Sequence, residues 1–151
     1  MIIFYFIISI LAIVADQALK FFIVQNYSVG EVQEIIPRVL SFNYIQNDGA
    51  ASNIFSGQMW LFYIISAVVI PTVIYLLIKH RQGHWSFKLG LALVLGGIIG
   101  NLIDRIRLHY VVDMFQLDFI QFNIFNVADA AISVGVVFIF IYLIFLDKEE
   151  K

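Results

Sequence analysis

Two aspartates carry the chemistry this sequence could do. Asp113 lies in YVVDMF (110–115) and Asp129 in FNVADAAI (125–132), and each interrupts apolar sequence. Asp129 stands at the mouth of an apolar run from Ala130 to Leu146, where a carboxylate is costly unless something compensates it or uses it. Two carboxylates brought close at low dielectric cannot both ionise easily, so they hold one proton between them. An aspartyl hydrolase needs that state: one carboxylate activates water and the other donates a proton. Each acid also has a plainer reading. Asn126-x-x-Asp129 has capping-box spacing, so Asp129 could serve the first turn of a helix, a role compatible with chemistry. Asp113 could be an ordinary solvated loop acid, although nearby Asp118 fits that role better.

Other polar residues gather around these two. Asp16 and Lys20 are four apart on one helix face, the order that favours an ion pair. Their plain reading is a buried, mutually neutralising pair; the functional one is that either orients something at the helix mouth, with Asn47 on a turn above. Gly97, Asn101 and Arg105 share a face at i, i+4, i+8, which points Asn101 and Arg105 toward the acids. Gly96 and Gly100 form a GxxxG pair, the pattern of close helix packing. Asp104 and Arg107 have i, i+3 spacing and read as a structural pair. Other chemistries are weaker. His80 and His84 are four apart but flank a loop, and His109 is alone. A Ser–Lys dyad has only Ser28 as a loose partner for Lys20. A divalent metal bound by the carboxylates of Asp104, Asp113 and Asp129 is an open alternative, though oxygen-only ligation without a phosphate substrate offers little specificity.

The elements that must position these residues are membrane spans. The 151 residues are 62% hydrophobic and 13% charged, against about 45–50% and about 25% in soluble domains. A net charge of −2 gives no reason to expect a nucleic-acid partner, and the absence of cysteine excludes disulfides and thiolate catalysis. Segments of about 20 apolar residues cross a bilayer, and four are present, at about 2–24, 60–78, 87–103 and 127–146. They define a single integral membrane domain over 1–151. The first lacks a basic start and a small-x-small cleavage site, so it reads as a retained helix. Trp60 and Tyr63 are candidate interface anchors. Lys79, Arg81, Lys88, Lys148 and Lys151 fall on the side of both termini, and Arg38, Arg105 and Arg107 on the other, with Lys20 near that boundary. The positive-inside bias thus puts both termini in the cytoplasm and the connections at about 25–59 and 104–126 outside.

VLSFNYIQ (39–46) is rich in β-branched and aromatic residues and predicts a strand, with Asn47-Asp48-Gly49 as the following turn. A small outer sheet follows, half immersed through Phe42 and Tyr44. The fold class is therefore an all-α membrane protein of four transmembrane helices with a small extracytoplasmic β element between helices 1 and 2. A transporter would also use intramembrane acids, but the polar residues cluster at one face. A partner subunit packing through Gly96 and Gly100 would leave the two acids unexplained.

Five motifs, in order, resemble the bacterial lipoprotein signal peptidase (signal peptidase II) family: Asp16-Gln17 with Lys20, Asn47-x-Gly49-Ala50-Ala51, Gly100-Asn101-Leu102-Ile103-Asp104-Arg105, Val111-Val112-Asp113, and Phe125-Asn126-Val127-Ala128-Asp129. The resemblance covers nearly the whole chain. It implies an intramembrane aspartic peptidase of the bacterial cytoplasmic membrane that cuts prolipoproteins immediately before a diacylglyceryl-modified cysteine, with lipid as its surroundings. It further implies Asp113 and Asp129 as the catalytic pair near the extracytoplasmic face, with no metal and no cofactor. Asp16, Lys20, Asn47, Gly49, Asn101, Arg105, Asn126 and Ala128 match positions that shape or support the family's site. Two departures are Ser52-Asn53, where the family usually has an aromatic residue, and Met114, where it usually has Phe. Both concern packing beside the site rather than its chemistry.

Overall fold

The computed structural model describes residues 2–49 and 55–146. Four helices long and apolar enough to cross a membrane form the body. They are α1 (Ile2–Asn26), α2 (Met59–Lys79), α3 (Trp85–Leu108) and α4 (Val127–Ile141), the last extended by a π-helical turn over Tyr142–Leu146. Helix α3 is the centre. In its most apolar stretch 67% of residues are buried, against 17%, 17% and 11% in the other three. Most apolar side chains of α1, α2 and α4 therefore face outward, as lipid-facing surfaces require.

Close packing around α3 depends on missing side chains. A Cβ on Gly100 would lie 2.8 Å from Asp16 Oδ2 on α1, and one on Gly97 would collide with the Ala128 carbonyl on α4. Gly96 meets Ser9 and Ala12, so the GxxxG pair packs α3 on α1 while Gly97 packs it on α4. Tyr5, Val73, Leu77, Phe87, Leu91, Leu95 and Tyr142 fill the core at one end of the bundle.

A three-stranded antiparallel sheet sits at the opposite end, in the order β1 (Val32–Ile36), β2 (Leu40–Asn47), β3 (Val111–Leu117). The strand expected over 39–46 is β2. The sheet is larger than an element between helices 1 and 2, because β3 comes from the connection between α3 and α4. Its Asp113 pairs opposite Ile45, and Val111 opposite Asn47. Beneath the sheet Ile23, Tyr44, Val112 and Met114 form a second apolar cluster. Tyr44 is thus core rather than lipid-facing, and Met114 serves packing. The Ala50, Ala51, Ser52 and Asn53 positions and the C-terminal Lys148 and Lys151 lie outside the described residues.

Helix α3 runs further than the expected 87–103 at both ends. Lys88 and Asn101, Asp104 and Arg105 look like helix ends in a hydropathy reading, yet their side chains turn inward. His109, at φ 62°, finally stops the helix with a left-handed cap.

Candidate active site

Helices α1, α3 and α4 and strands β2 and β3 converge at the sheet end of the bundle. Helix α4 starts with the capping box read from Asn126-x-x-Asp129. Asn126 Oδ1 accepts the Asp129 N–H at 2.9 Å, and Asp129 Oδ2 accepts the Asn126 N–H at 3.3 Å. Asn126 is fully buried, and its side-chain amide also donates to Asp113 Oδ1 at 2.7 Å. One asparagine therefore holds both acids, Asp113 from β3 and Asp129 from α4.

The remaining carboxylate oxygens are also engaged. Asn47, at the end of β2, donates to Asp113 Oδ2 at 3.0 Å, and its own Oδ1 accepts the Gly49 N–H at 2.9 Å. Asn101 donates to Asp129 Oδ1 at 2.7 Å. Asp113 is 1% exposed, while Asp129 is half-buried. Burial first, and the Asp129 charge second, push the Asp113 carboxyl up to about 7, against the lowering pull of Asn47, Asn126 and Lys20. Both acids line one cavity of about 520 Å³, together with Asn47, Gly49, Asn101 and Arg105.

Arg105 spans the cavity rim. Its Nη2 donates to the Gly49 carbonyl at 3.3 Å, and its guanidinium lies over the Phe62 ring at 4.3 Å. Its Nε is buried and makes no hydrogen bond among the described residues. Tyr63 donates to the Arg105 carbonyl at 2.8 Å and so braces α3. Trp60 remains exposed.

Behind the acids lies a buried ionic group. Lys20 Nζ meets Asp16 Oδ2 at 2.8 Å, as the i, i+4 spacing predicts, but also Asp104 Oδ2 at 3.0 Å. Asp104 therefore turns inward to α1 rather than pairing with Arg107. A third contact runs from Lys20 to Asn101 Oδ1 at 2.9 Å. Lys20 Nζ thus has three oxygen partners, none of them a serine hydroxyl, which leaves a Ser–Lys dyad without its geometry. Ser28 sits in the exposed turn after α1. Asp16 Oδ1 accepts the Ala128 N–H at 2.9 Å, which accounts for Ala128 through its backbone. His84 caps α3 and His80 contacts the Leu76 carbonyl.

The structure thus gathers Asp16, Lys20, Asn47, Gly49, Asn101, Arg105, Asp113, Asn126, Ala128 and Asp129 into one neighbourhood. Sequence reasoning gave no site role to Gln17, Phe62 and Tyr63, and took Asp104 for an Arg107 partner. For Gln17 a signal existed in its i, i+3 spacing to Lys20, whereas the contacts of Asp104 cross from α3 to α1 and have no local signature.

Comparison with known proteins decides the family. The model of the signal peptidase II family matches residues 8–145. The chain belongs to that family. It is 59% identical over 146 residues to the lipoprotein signal peptidase of Lactobacillus gasseri, covering 97% of this chain and 95% of that protein. The corresponding protein of Lactobacillus johnsonii is 61% identical over 146 residues, with the same coverage. The one from Enterococcus faecalis is 50% identical over 147 residues, covering 97% and 91%. A bacterial membrane enzyme solved in meso at 2.3 Å resolution superimposes with a TM-score of 0.92 at 32% identity, covering 97% of this chain and 91% of that one. A second, at 1.9 Å, gives 0.87 at 32% identity, covering 94% and 93%. A member of the signal peptidase II family is a peptidase, and its four apolar helices make this one a multi-pass membrane protein.

Proposed function

We propose that this chain removes signal peptides from prolipoproteins as an intramembrane aspartic endopeptidase, cutting immediately before a diacylglyceryl-modified cysteine. Its relatives' names supply the substrate class. The observation that carries the aspartic chemistry is Asn126, fully buried and bonded to both Asp113 and Asp129 beside a shared cavity. Asp16, Lys20, Asn47, Gly49, Asn101, Arg105, Asn126 and Ala128 support that pair.

In this reading Asp113, whose carboxyl is pushed up to about 7, holds the shared proton. Asp129, at the positive end of α4, carries the negative charge. Asp129 takes a proton from a water between the two acids, and the water oxygen bonds to the scissile carbonyl carbon. Asp113 gives its proton to the carbonyl oxygen as the tetrahedral intermediate forms. Collapse breaks the C–N bond as Asp113 takes back a proton from one hydroxyl of the intermediate and the proton held by Asp129 passes to the leaving amine, which returns both acids to their starting state. Arg105 lines the cavity, where its guanidinium charge can offset charge developing on a substrate carbonyl. Amide donors and a fixed guanidinium need no reorganisation as charge develops.

The orientation follows from charge and from the substrate. With both termini cytoplasmic, the sheet and the acid pair lie at the outer face of the bacterial cytoplasmic membrane. There the diacylglyceryl chains remain in lipid while water reaches the peptide bond. No metal or cofactor takes part.

The test is cleavage of a synthetic diacylglyceryl-prolipoprotein by purified protein in detergent, with wild type, Asp113→Asn and Asp129→Asn compared with and without EDTA. The expected result is chelator-resistant cleavage before the lipidated cysteine, reduced by at least about 10³-fold in each variant. Substantial turnover by either variant sinks the acid-pair assignment.

A further inference from the structure

Behind Asp113 and Asp129 stands a second pair of carboxylates, Asp16 and Asp104, and the two pairs are connected one to one through the backbone. Asp16 Oδ1 accepts the N–H of Ala128, the residue before Asp129, at 2.9 Å. Asp104 Oδ2 accepts the N–H of Val112, the residue before Asp113, at 3.0 Å. The rear pair is bridged twice. Lys20 Nζ reaches Asp16 at 2.8 Å and Asp104 at 3.0 Å. Gln17 Nε2 reaches Asp16 Oδ2 at 3.3 Å and Asp104 Oδ1 at 2.9 Å, and also meets the Gly100 carbonyl at 3.1 Å.

A single aspartate would neutralise Lys20. Adding a second buried carboxylate desolvates another acidic group, a cost offset by its bonds to Lys20, Gln17 and the Val112 N–H. What Asp104 does is tie α3 and α1 to β3. Asp113 and Asp129 sit on separate elements, a strand and a helix start, so their separation is not fixed by local geometry. Reacting groups must be held to within about 0.5 Å.

We propose that Lys20 and Gln17 clamp Asp16 to Asp104 and thereby set the separation of Asp129 from Asp113, with Asp104 and Gln17 as positioning residues. This rests on the reading of Asp113 and Asp129 as the reacting pair. The separation of the pair governs how strongly one charge opposes the other. That opposition acts only when both acids are charged, so loosening the clamp lowers the upper limit of the pH window in which the pair holds one proton and leaves its lower limit in place. The charged and titratable groups facing the pair are Asp16 and Lys20 from α1, Asp104 and Arg105 from α3, and Tyr63 from α2 behind Arg105. Strand β2 contributes the neutral Asn47. A change in charge alone would move both limbs of the pH profile in the same direction. A change in separation moves the upper limb alone, toward the lower one.

The experiment is the pH profile of kcat/KM for wild type, Gln17→Leu and Asp104→Asn on the diacylglyceryl-prolipoprotein in detergent, with Asp113→Asn and Asp129→Asn alongside. Gel filtration and thermal melting report folding. Gln17→Leu changes no charge; its kcat is expected to fall about tenfold and its upper limb to move down by about half a pH unit while the lower limb stays in place. Its KM should change less than about twofold. Asp104→Asn should show the same fall of the upper limb plus a common shift of both limbs to lower pH. Should Asp104→Asn fail to fold, Gln17→Leu decides alone. A folded Gln17→Leu whose limbs stay in place or move in parallel overturns the clamp. If Asp113→Asn or Asp129→Asn still cleaves, the aspartic reading itself falls. If both are inactive and the limbs do not converge, only the clamp falls.

Discussion

Lys20 and Lys88 are each almost wholly buried, 3% and 2% exposed, and they stand at opposite ends of the bundle. Lys20, beneath the sheet, has two carboxylates and an amide oxygen around its ammonium. Lys88, in the first turn of α3, donates to the Arg81 carbonyl at 3.2 Å and lies over the Tyr5 ring at 5.2 Å. Both ion pairs found among the described residues belong to Lys20. Lys88 thus satisfies its charge with dipoles and a ring face, close to the end of a span where a long side chain reaches toward water. Lys20 sits in a web of directional bonds running to the backbone beside each acid. The lesson is that burial of a cation does not by itself mark a site. What distinguishes the two is whether the partners are anions tied to other functional elements.

Removing one charge at each end breaks the comparison most directly. Lys20→Met leaves Asp16 and Asp104 buried without a cation, an expected loss of about 3–5 kcal/mol and of nearly all turnover. Asp16→Asn combined with Lys20→Met and Asp104→Asn should recover most of the stability, because no uncompensated charge remains, but little of the activity. Thermal melting and cleavage of the same samples separate the two effects. Recovery of activity with stability would mean that the ionic group only supports the fold.

Asp113 gives the next largest effect, and its sign is set by burial. Its carboxyl is raised from an ordinary 3.8 to about 7, so the folded protein binds that proton more tightly than the unfolded chain does. The stability it contributes is complete below about 4 and is lost as pH rises through about 7. Asp113→Asn should therefore stabilise the protein at pH 8 by on the order of 2 kcal/mol relative to its effect at pH 5, although it is inactive. Melting curves at the two pH values check this; an equal shift at both would remove burial as the cause.

The smallest effect is expected at the other end. Lys88→Met should cost about 1 kcal/mol, from one hydrogen bond and one cation–ring contact. Cleavage should stay within about twofold of wild type, because Lys88 touches nothing near the cavity. A large loss of turnover would show that the two ends are coupled through α3.

The site was legible to different depths at different residues. Asn126 and Asp129 are three apart, so their capping box could be read from spacing alone, and so could the Asp16–Lys20 pair. Asp104 could not. Its local partner by spacing is Arg107, but the rotation of α3 against α1 turns it to Lys20 and Gln17. Strand β3 was hidden for a related reason. VVDMFQL lacks clean alternation because its first four residues are all buried, and its pairing with β2 joins residues more than sixty apart.

The sequence by itself determined four membrane-crossing helices, the small residues that let them approach, and the types and order of the polar residues that carry the family's pattern. These are properties of composition and short spacing, set by the length of an apolar run and the period of a helix. Only the tertiary structure decided that one asparagine would hold both acids and that a second carboxylate pair would stand behind them. Those contacts join side chains from separate elements, and hydrogen bonds over about 3 Å depend on how the helices rotate and cross, which local sequence does not encode.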